Sequence, residues 1–201
     1  MKLYLTILLY TIFLTFHWGL NASAMTDQTR EKAISKAEEF FNNMASYEAE
    51  FLQQAFDNSN RKGKLYILKP NRVRLEYLGA NPEVIIVDND FVTHYAPDID
   101  EVNFMPNEGI PIGFLGKSNI NLRKDFKVTN VSEINGQLMM VLEVKYKEQK
   151  SIVTVLFAQE PFDIQSISVI DENGDNVQLK MLNTRKNQHL NPKLFEIKRV
   201  E

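Results

Sequence analysis

Hydrophobic residues recur at helical spacing near the start of the chain, after Met25. Apolar side chains occupy positions 33, 34, 37, 40, 41 and 44, at steps of one, three and four residues, which places them on one face of an α-helix. Thr26 or Asp27 suits the N-cap of that helix, because either side chain can accept a hydrogen bond from the first free backbone amides. The pattern predicts one amphipathic helix whose apolar stripe, ending in aromatic rings, lies on another apolar surface.

From Ser46 onward the period changes from helical to alternating. Apolar Tyr47 and Phe51 would lie on one side of a strand, with Glu48 and Glu50 on the other. Pairs of turn formers such as Asn135-Gly136 separate further runs of this kind. Strands are predicted at 64–69, 72–78, 83–88, 91–96, 126–131, 137–146, 151–158, 164–170 and 177–182, with a further candidate at 194–198. Many short strands joined by hairpin signals predict a large antiparallel sheet that curls.

The alternation also indicates which strands are covered on both faces. Charged and apolar residues alternate in 72–77, so that strand has one solvated face. By contrast, 84–87 and 138–142 are apolar on both faces and need cover on each side. Residues 109–116 form another apolar run, which is too interrupted by glycine and proline for a strand or a long helix. We therefore predict a curved sheet whose concave side is covered by the N-terminal helix and by this mid-chain segment.

The first residues are typical of an export signal. Lys2 precedes an apolar run from Leu3 to Leu20, and residues 22–24 give the small-x-small pattern that signal peptidases cleave. This predicts a signal peptide over 1–24 and a single domain over 25–201. The alternative is an uncleaved membrane anchor, because the run is about as long as the shortest spanning helices.

Composition narrows the functional classes. The 201 residues carry 23 basic and 26 acidic side chains, and this net charge of −3 argues against nucleic-acid binding. There is no Cys, which excludes disulfides, thiolate nucleophiles and Cys-ligated metals. Residues 116–118 and 171–175 do not complete a phosphate-binding or a calcium-binding loop, and Asp98, Asp100 and Glu101 are typical of a solvated turn. We therefore predict a protein that is not an enzyme and that has no cofactor or metal.

The covered concavity is then the candidate functional site. The predicted lid residues are Phe40, Phe41 and Met44 on the helix, and Ile112, Phe114 and Leu115 on the mid-chain segment. Such a lid could enclose hydrocarbon chains, since burying each CH₂ group contributes about 0.8 kcal/mol. Aromatic residues at helical spacing are more often ordinary core residues. The residues alone therefore leave both interpretations open.

A resemblance to a known family favours a lid that encloses hydrocarbon chains over an ordinary core. Four stretches carry the resemblance: Phe51-x-Gln53, 63–77 (GKLYILKPNRVRLEY), 84–89 (VIIVDN) and 95–97 (YAP). In their order and spacing they resemble the motifs of the outer-membrane lipoprotein carrier (LolA) family, and the resemblance covers residues 46–102. The resemblance implies an incomplete, half-open antiparallel β-barrel with a helical lid. It also implies a monomeric periplasmic carrier that takes acylated lipoproteins from an inner-membrane ABC-type releasing complex and passes them to an outer-membrane lipoprotein receptor.

The resemblance further implies roles for individual residues. The acyl-chain cavity would be lined by Phe51, Leu65, Ile67, Val73, Leu75, Tyr77, Ile86 and Leu142. Lys69 stands where many members of the family carry Arg before the proline, and there the cation joins the lid to the barrel. Lysine lacks the planar fork of arginine, which implies a weaker contact.

Two other functions remain open from the sequence. One is a lipid-sensing regulator, or another lipid-binding protein, of the same fold; such relatives usually have a second domain, for which this chain leaves little room. The other is an exported hydrolase. Its carboxylates would come from Asp88, Asp90, Asp98, Asp100 and Glu101.

Overall fold

The computed structural model describes residues 25–107, 111–146 and 149–197. In these residues an N-terminal helix is followed by eleven strands, with a second, short helix between the sixth and the seventh strand. The predicted signal peptide and its cleavage site at Ala24 lie outside the described residues. None of the helices that the described residues form has the length and apolarity needed to cross a bilayer.

The helix and the strands follow the change of period in the sequence. Helix α1 spans Asp27–Asn42 and begins at Thr26, whose side chain accepts a hydrogen bond from the amide of Thr29. The strands are β1 (Ser46–Gln54), β2 (Asn60–Leu68), β3 (Arg72–Leu78), β4 (Glu83–Val87), β5 (Phe91–Ala96), β6 (Glu101–Pro106), β7 (Lys127–Ile134), β8 (Gln137–Tyr146), β9 (Gln149–Gln159), β10 (Phe162–Ile170) and β11 (Asn176–Lys186). The other elements are a short helix, α2 (Leu122–Asp125), and 3-10 turns at Pro97–Ile99, Pro111–Gly116 and Pro192–Phe195.

The sheet consists of two meanders joined by the pairing of β1 with β11. Its strand order is β6-β5-β4-β3-β2-β1-β11-β10-β9-β8-β7, and every neighbouring pair is antiparallel. Because β6 and β7 are edges, the sheet stays open and does not close into a barrel. The predicted incomplete antiparallel barrel is confirmed.

Strand register gathers the predicted apolar positions on one face. Ala49 pairs with Leu65, and Leu65 pairs with Leu75. All three side chains are at most 4% exposed and belong to the main core. Glu48 and Glu76, at alternate positions of β1 and β3, therefore point to the other, outer face.

Strand β4 is covered on both faces, as its continuous apolar sequence predicts. Ile85 and Val87 pack into the main core on the inner face. The outer face carries a second cluster, which consists of Val84, Ile86 and Tyr95 with Phe195 and Ile197 packed against it. The C-terminal segment thus supplies the second cover.

The prediction of double cover is wrong for β8. Its inner residues Leu138, Met140 and Leu142 are at most 1% exposed, whereas the outer residues Met139 and Val141 are only partly buried.

Two further elements differ from the sequence prediction. Glu101–Pro106 is an edge strand, most of whose side chains are exposed, so it has no buried face to produce an alternating pattern. The candidate strand at 194–198 is wrong for its described residues, because Pro192–Phe195 is a 3-10 turn capped by Asn191.

Candidate functional site

Two parts of the chain cover the concave face of the sheet, and together they are the lid. Helix α1 is the lid helix, and residues 111–125 are the lid segment. The lid helix buries Ile34, Ala37 and Phe41. The lid segment buries Phe114 and Leu115, among others, in its 3-10 turn. The apolar stripe of α1 therefore faces the sheet, as its spacing predicts.

A chain of aromatic rings fills the space between lid and sheet. Phe41 meets Phe114 and Phe157 edge to face, with 5.8 Å between ring centroids in both pairs. Phe114 meets Phe126 at 5.1 Å, and Phe157 stacks on Phe162 at 4.9 Å. Ring pairs of this kind contribute about 0.5–1.5 kcal/mol each beyond the burial of their area. In this closed arrangement the lid's own side chains occupy the concave face.

Most of the predicted cavity and lid residues come together in this core. It contains the cavity residues Phe51, Leu65, Ile67, Val73, Leu75, Tyr77 and Leu142 and the lid residues Phe41, Met44, Ile112, Phe114 and Leu115, with Phe40 packed against it.

Ile86 is the predicted cavity residue that the structure places elsewhere. Its pairing with Arg74 in β3 puts it on the outer face, where it belongs to the second cluster. The sequence of β4 is apolar at every position from 84 to 87, so alternation could not show which residues point inward.

Lys69 connects the sheet to the end of the lid helix. Its ammonium group donates a hydrogen bond to the carbonyl oxygen of Phe41 at 2.5 Å. That carbonyl lies in the last turn of α1, where the helix leaves carbonyls without helical partners and favours a cation. Partial burial lowers the pKa of Lys69. Lys69 thus contacts the lid helix, and its role in holding the lid closed stays a prediction.

The lid segment rests on the turn between β2 and β3. The amide of Asn71 donates a hydrogen bond to the carbonyl of Gly116 at 2.5 Å. A Cβ atom at Gly116 would lie 3.2 Å from both the amide nitrogen of Arg72 and Cγ2 of Val73. The glycine therefore permits the close approach of the lid segment to β3.

The polar residues that connect the two parts of the lid were not predicted from the sequence. Arg123 in the lid segment forms ion pairs with Glu31 and Glu38 of the lid helix, at 2.8 and 2.6 Å. The spacing of the two glutamates, seven residues apart, puts them on one helical face and is a signal for a cationic partner. Nothing in the sequence identifies that partner as a residue so far along the chain.

A half-buried carboxylate, that of Asp163, lies beside the start of β1. The hydroxyl of Tyr47 donates a hydrogen bond to Asp163 at 3.3 Å, and Thr184 donates to the other oxygen at 2.8 Å. Lys186 completes the network with an ion pair at 3.5 Å. Burial, followed by the charge of Asp163, raises the pKa of Tyr47 far above its usual value. These three partners connect Asp163 of β10 to β1 and β11, which is a structural network.

The ends of the strands opposite Lys69 form a polar rim. Arg61, near the start of β2, lies over the ring of Tyr77 at 4.0 Å and pairs with Glu83 at 3.0 Å. The Tyr77 hydroxyl donates a hydrogen bond to Gln53 at 2.7 Å. A groove of about 740 Å³ lies beside these residues. The apolar interior is therefore bounded at this end by charged and polar groups.

The acidic residues that a hydrolase would use lie outside the apolar core. Asp88, Asp90, Asp98, Asp100 and Glu101 are all exposed. Asp88 accepts hydrogen bonds from the amides of Asp90 and Phe91, which is the geometry of a turn. Within the part of the chain that the structure describes, no group of three or more His, Asp or Glu side chains is arranged to hold a metal ion.

Comparisons with known proteins agree with this architecture. A family model described as "Outer membrane lipoprotein carrier protein LolA" matches residues 42–198. An uncharacterized protein of Rickettsia prowazekii (strain Madrid E) is 26% identical over 169 residues, which cover 84% of this chain and 78% of that protein. An outer-membrane lipoprotein carrier protein of Dechloromonas aromatica (strain RCB) is 21% identical over 173 residues, which cover 82% of each chain.

A solved structure shows the same fold. The crystal structure of an uncharacterized conserved protein from Thermus thermophilus superposes with a TM-score of 0.51. The match covers 84% of this chain and 93% of that one, at 10% sequence identity. At this level of identity the likeness concerns the fold alone.

Proposed function

Because this chain belongs to the outer-membrane lipoprotein carrier (LolA) family, we propose that it is a periplasmic, non-catalytic carrier that shields the acyl chains of lipoproteins beneath its lid. It receives its cargo from an inner-membrane ABC-type releasing complex and passes it to an outer-membrane receptor. The observation that carries the proposal is the closed lid. Phe41 and Phe114 come from two separate parts of the chain, and both lie in the concave face of an open sheet.

In this proposal the lid and the cargo compete for the same apolar surface. Burying a phenylalanine side chain contributes about 1.5–3 kcal/mol, and the closed lid buries Phe41 and Phe114 to 5% exposure or less. Acyl chains that enter the interior replace these contacts, so the net affinity is the difference between two burials. A small difference suits a carrier, because a site that bound acyl chains without competition would not release them.

Lys69 sets how readily the lid opens. Its hydrogen bond to Phe41 at 2.5 Å is formed when the end of the lid helix lies against β2. An open lid breaks this contact and returns the ammonium group to water. Lys69 therefore favours the closed lid and, through it, the release of cargo.

The proposal is tested by making one chemical change at two positions of β3. Leu75 points inward and is 4% exposed, whereas Leu78 points outward and is 39% exposed. A fluorescent triacylated lipopeptide serves as the cargo probe. We expect Leu78→Glu to bind the probe as the unmodified protein does, and Leu75→Glu to bind at least about tenfold more weakly, because its carboxylate faces the acyl chains. Equal affinities for the two variants would refute the assignment of the cavity.

A second measurement avoids the destabilisation that a buried carboxylate can cause. The unmodified protein is loaded with a lipopeptide that carries a photoreactive group at the end of an acyl chain, and the cross-linked residues are identified by mass spectrometry. We expect cross-links to inner-face residues such as Leu75 and Leu142. Cross-links confined to outer residues such as Met139 and Leu78 would contradict the proposal.

A further inference from the structure

The two parts of the lid are joined by a dense set of polar contacts, which we call the seam. At its centre, the guanidinium group of Arg123 reaches four acceptors on one face of the lid helix. Its Nε donates a hydrogen bond to the carboxylate of Glu31 at 2.9 Å. Its two terminal nitrogens donate to the backbone carbonyl of Glu31 at 3.2 Å, to the carboxylate of Glu38 at 2.6 Å and to the hydroxyl of Ser35 at 3.1 Å. All of the donor groups in these contacts belong to the lid segment, and all of the acceptors belong to the lid helix.

A second pair of contacts lies at the end of the lid helix. The side-chain amide of Asn42 donates to the carbonyl of Ile120 at 2.9 Å and accepts from the amide of the same residue at 2.8 Å. The amide of Leu122 donates to Glu38 at 2.7 Å. Both Ile120 and Leu122 are at most 1% exposed, so their backbone groups would be buried without partners if the two parts of the lid separated in place.

The polar contacts between the lid helix and the sheet are of a different kind. Away from Lys69, two long side chains each make one hydrogen bond to the sheet: Arg30 donates to the carbonyl of Val128, and Lys36 donates to the side chain of Gln159, both at 3.1 Å. Lys36 and Lys186 also lie over the rings of Phe162 and Phe40, and the apolar side chains of the helix pack into the core. Aromatic contacts can be exchanged for acyl chains, whereas the directed hydrogen bonds of the seam cannot.

The end of the lid helix has a fixed attachment. Asn187, which follows β11, accepts a hydrogen bond from the amide of Ala45 at 2.7 Å and donates to the carbonyl of Asn43 at 3.1 Å. The chain between α1 and β1 is thereby held to the sheet. The pivot of the lid helix then lies at residues 43–45, so that its last turn, with the carbonyl of Phe41, moves away from Lys69 and its N-terminal turns move farthest.

From these contacts we infer that the lid helix and the lid segment leave the sheet as one body, and that Arg123 and Asn42 are the residues that couple them. The inference rests on the proposed carrier function for its purpose, but the coupling is a property of the protein alone. Cargo enters between the coupled lid and the sheet. It does not enter between the two parts of the lid.

Cross-linking in the native chain, which has no Cys, tests this directly. Glu31→Cys with Arg123→Cys places a thiol pair across the seam, and Lys36→Cys with Gln159→Cys places one between lid and sheet. The two native pairs are matched, since long side chains meet end to end at 2.8 and 3.1 Å. A short bifunctional thiol reagent closes each pair, and binding of the triacylated lipopeptide is measured before and after closure.

The coupled lid makes opposite predictions for the two links. The link across the seam should leave lipopeptide binding within about twofold of the unmodified protein, and the link to the sheet should reduce it at least about tenfold. Loss of binding on closing only the seam would overturn the inference, because the two parts would then have to separate. If the protein linked across the seam and the protein linked from lid to sheet both retain lipopeptide binding, the lid does not need to leave the sheet, and the proposed function is refuted with it.

Hydrogen exchange gives a readout that needs no cargo. A lid that has left the sheet loses the packing that stabilises its short helix, so if the lid opens as one body, protected amides in α1 and in 111–125 exchange from the same open state and have equal opening free energies. Arg123→Ala should separate the two sets of rates by at least about threefold, whereas Lys36→Ala, which removes contacts between the lid helix and the sheet, should leave them equal. Unequal opening free energies in the unmodified protein, or no separation in Arg123→Ala, would overturn the inference.

Discussion

Replacing Lys69 tests the balance between closed lid and bound cargo. Lys69→Leu removes the hydrogen bond to Phe41 but keeps an apolar side chain beside the end of α1. The carbonyl of Phe41 would keep only its long contact with the amide of Met44, at 3.4 Å. The closed lid loses this stabilisation, whereas the loaded protein, in which the contact is already broken, does not. Lys69→Leu should therefore bind cargo more tightly and hand it over more slowly.

The size of the effect follows from the contact that is lost. A hydrogen bond that involves a charged group contributes about 1.5–3 kcal/mol. Lys69 is only partly buried, so we take the lower end of that range, since water replaces part of the lost interaction. About 1.4 kcal/mol corresponds to a factor of ten in an equilibrium constant. Because the closed lid reduces the apparent affinity by the fraction of open protein, Lys69→Leu should bind the lipopeptide about tenfold more tightly.

The assay compares three proteins under the same conditions. The affinity for a fluorescent triacylated lipopeptide is measured by titration, and handover is measured as transfer of the probe to acceptor vesicles. Lys69→Arg serves as the matched control, because it keeps a cation that can hold the lid at least as firmly as lysine does, so its affinity for cargo should not rise. If Lys69→Leu folds normally but shows the same affinity and the same transfer rate as Lys69→Arg, Lys69 has no role in closing the lid.

Two further predictions concern stability. Gly63→Ala should lower the free energy of unfolding by about 1–3 kcal/mol, because the new Cβ would lie 2.4 Å from both the Phe51 ring and the carbonyl of Glu76. Gly113→Ala is the control, since its Cβ would meet only Val87, at 3.3 Å. Thermal unfolding of the two variants measures the difference, and equal losses of stability would contradict the prediction. Burial raises the pKa of Tyr47 above 10.0, so above pH 10 the unfolded state loses the phenol proton while the folded state keeps it. The free energy of unfolding should therefore fall more steeply with pH than in Tyr47→Phe, by about 1.4 kcal/mol per pH unit. Parallel curves of unfolding free energy against pH would refute the second prediction.

The parts of the fold that local sequence determines were predictable. The spacing of Ala37, Phe41 and their neighbours predicts the lid helix because a helix buries every third or fourth residue. The inner faces of β1 and β3 were predictable for a similar reason, since each strand has one buried and one solvated face. In these elements the burial of a single residue follows from its position in a repeating pattern.

Other features depend on partners that are distant in sequence. The outward position of Ile86 follows from its register with Arg74, and the cover over it comes from Phe195 at the other end of the chain. The exposed edge strand β6 has no buried face and therefore no pattern. The pairing of Arg123 with Glu38 likewise follows only from the closed lid. Register, edges and long-range ion pairs are consequences of the assembled sheet, and no local pattern contains them.

If the lid opens as we infer, the contacts of Lys69 and Arg123 together make its opening a single event. Lys69 binds the lid helix, and the amide of Asn71 binds the lid segment; both lie at the same turn between β2 and β3. If the seam couples the two parts, neither contact can break without straining the other, and the free energy of closure is summed over the whole lid. Cargo that displaces only part of the aromatic core then gains little. A complete lipid anchor, which replaces all of it, opens the lid fully, so the coupling favours complete over partial loading.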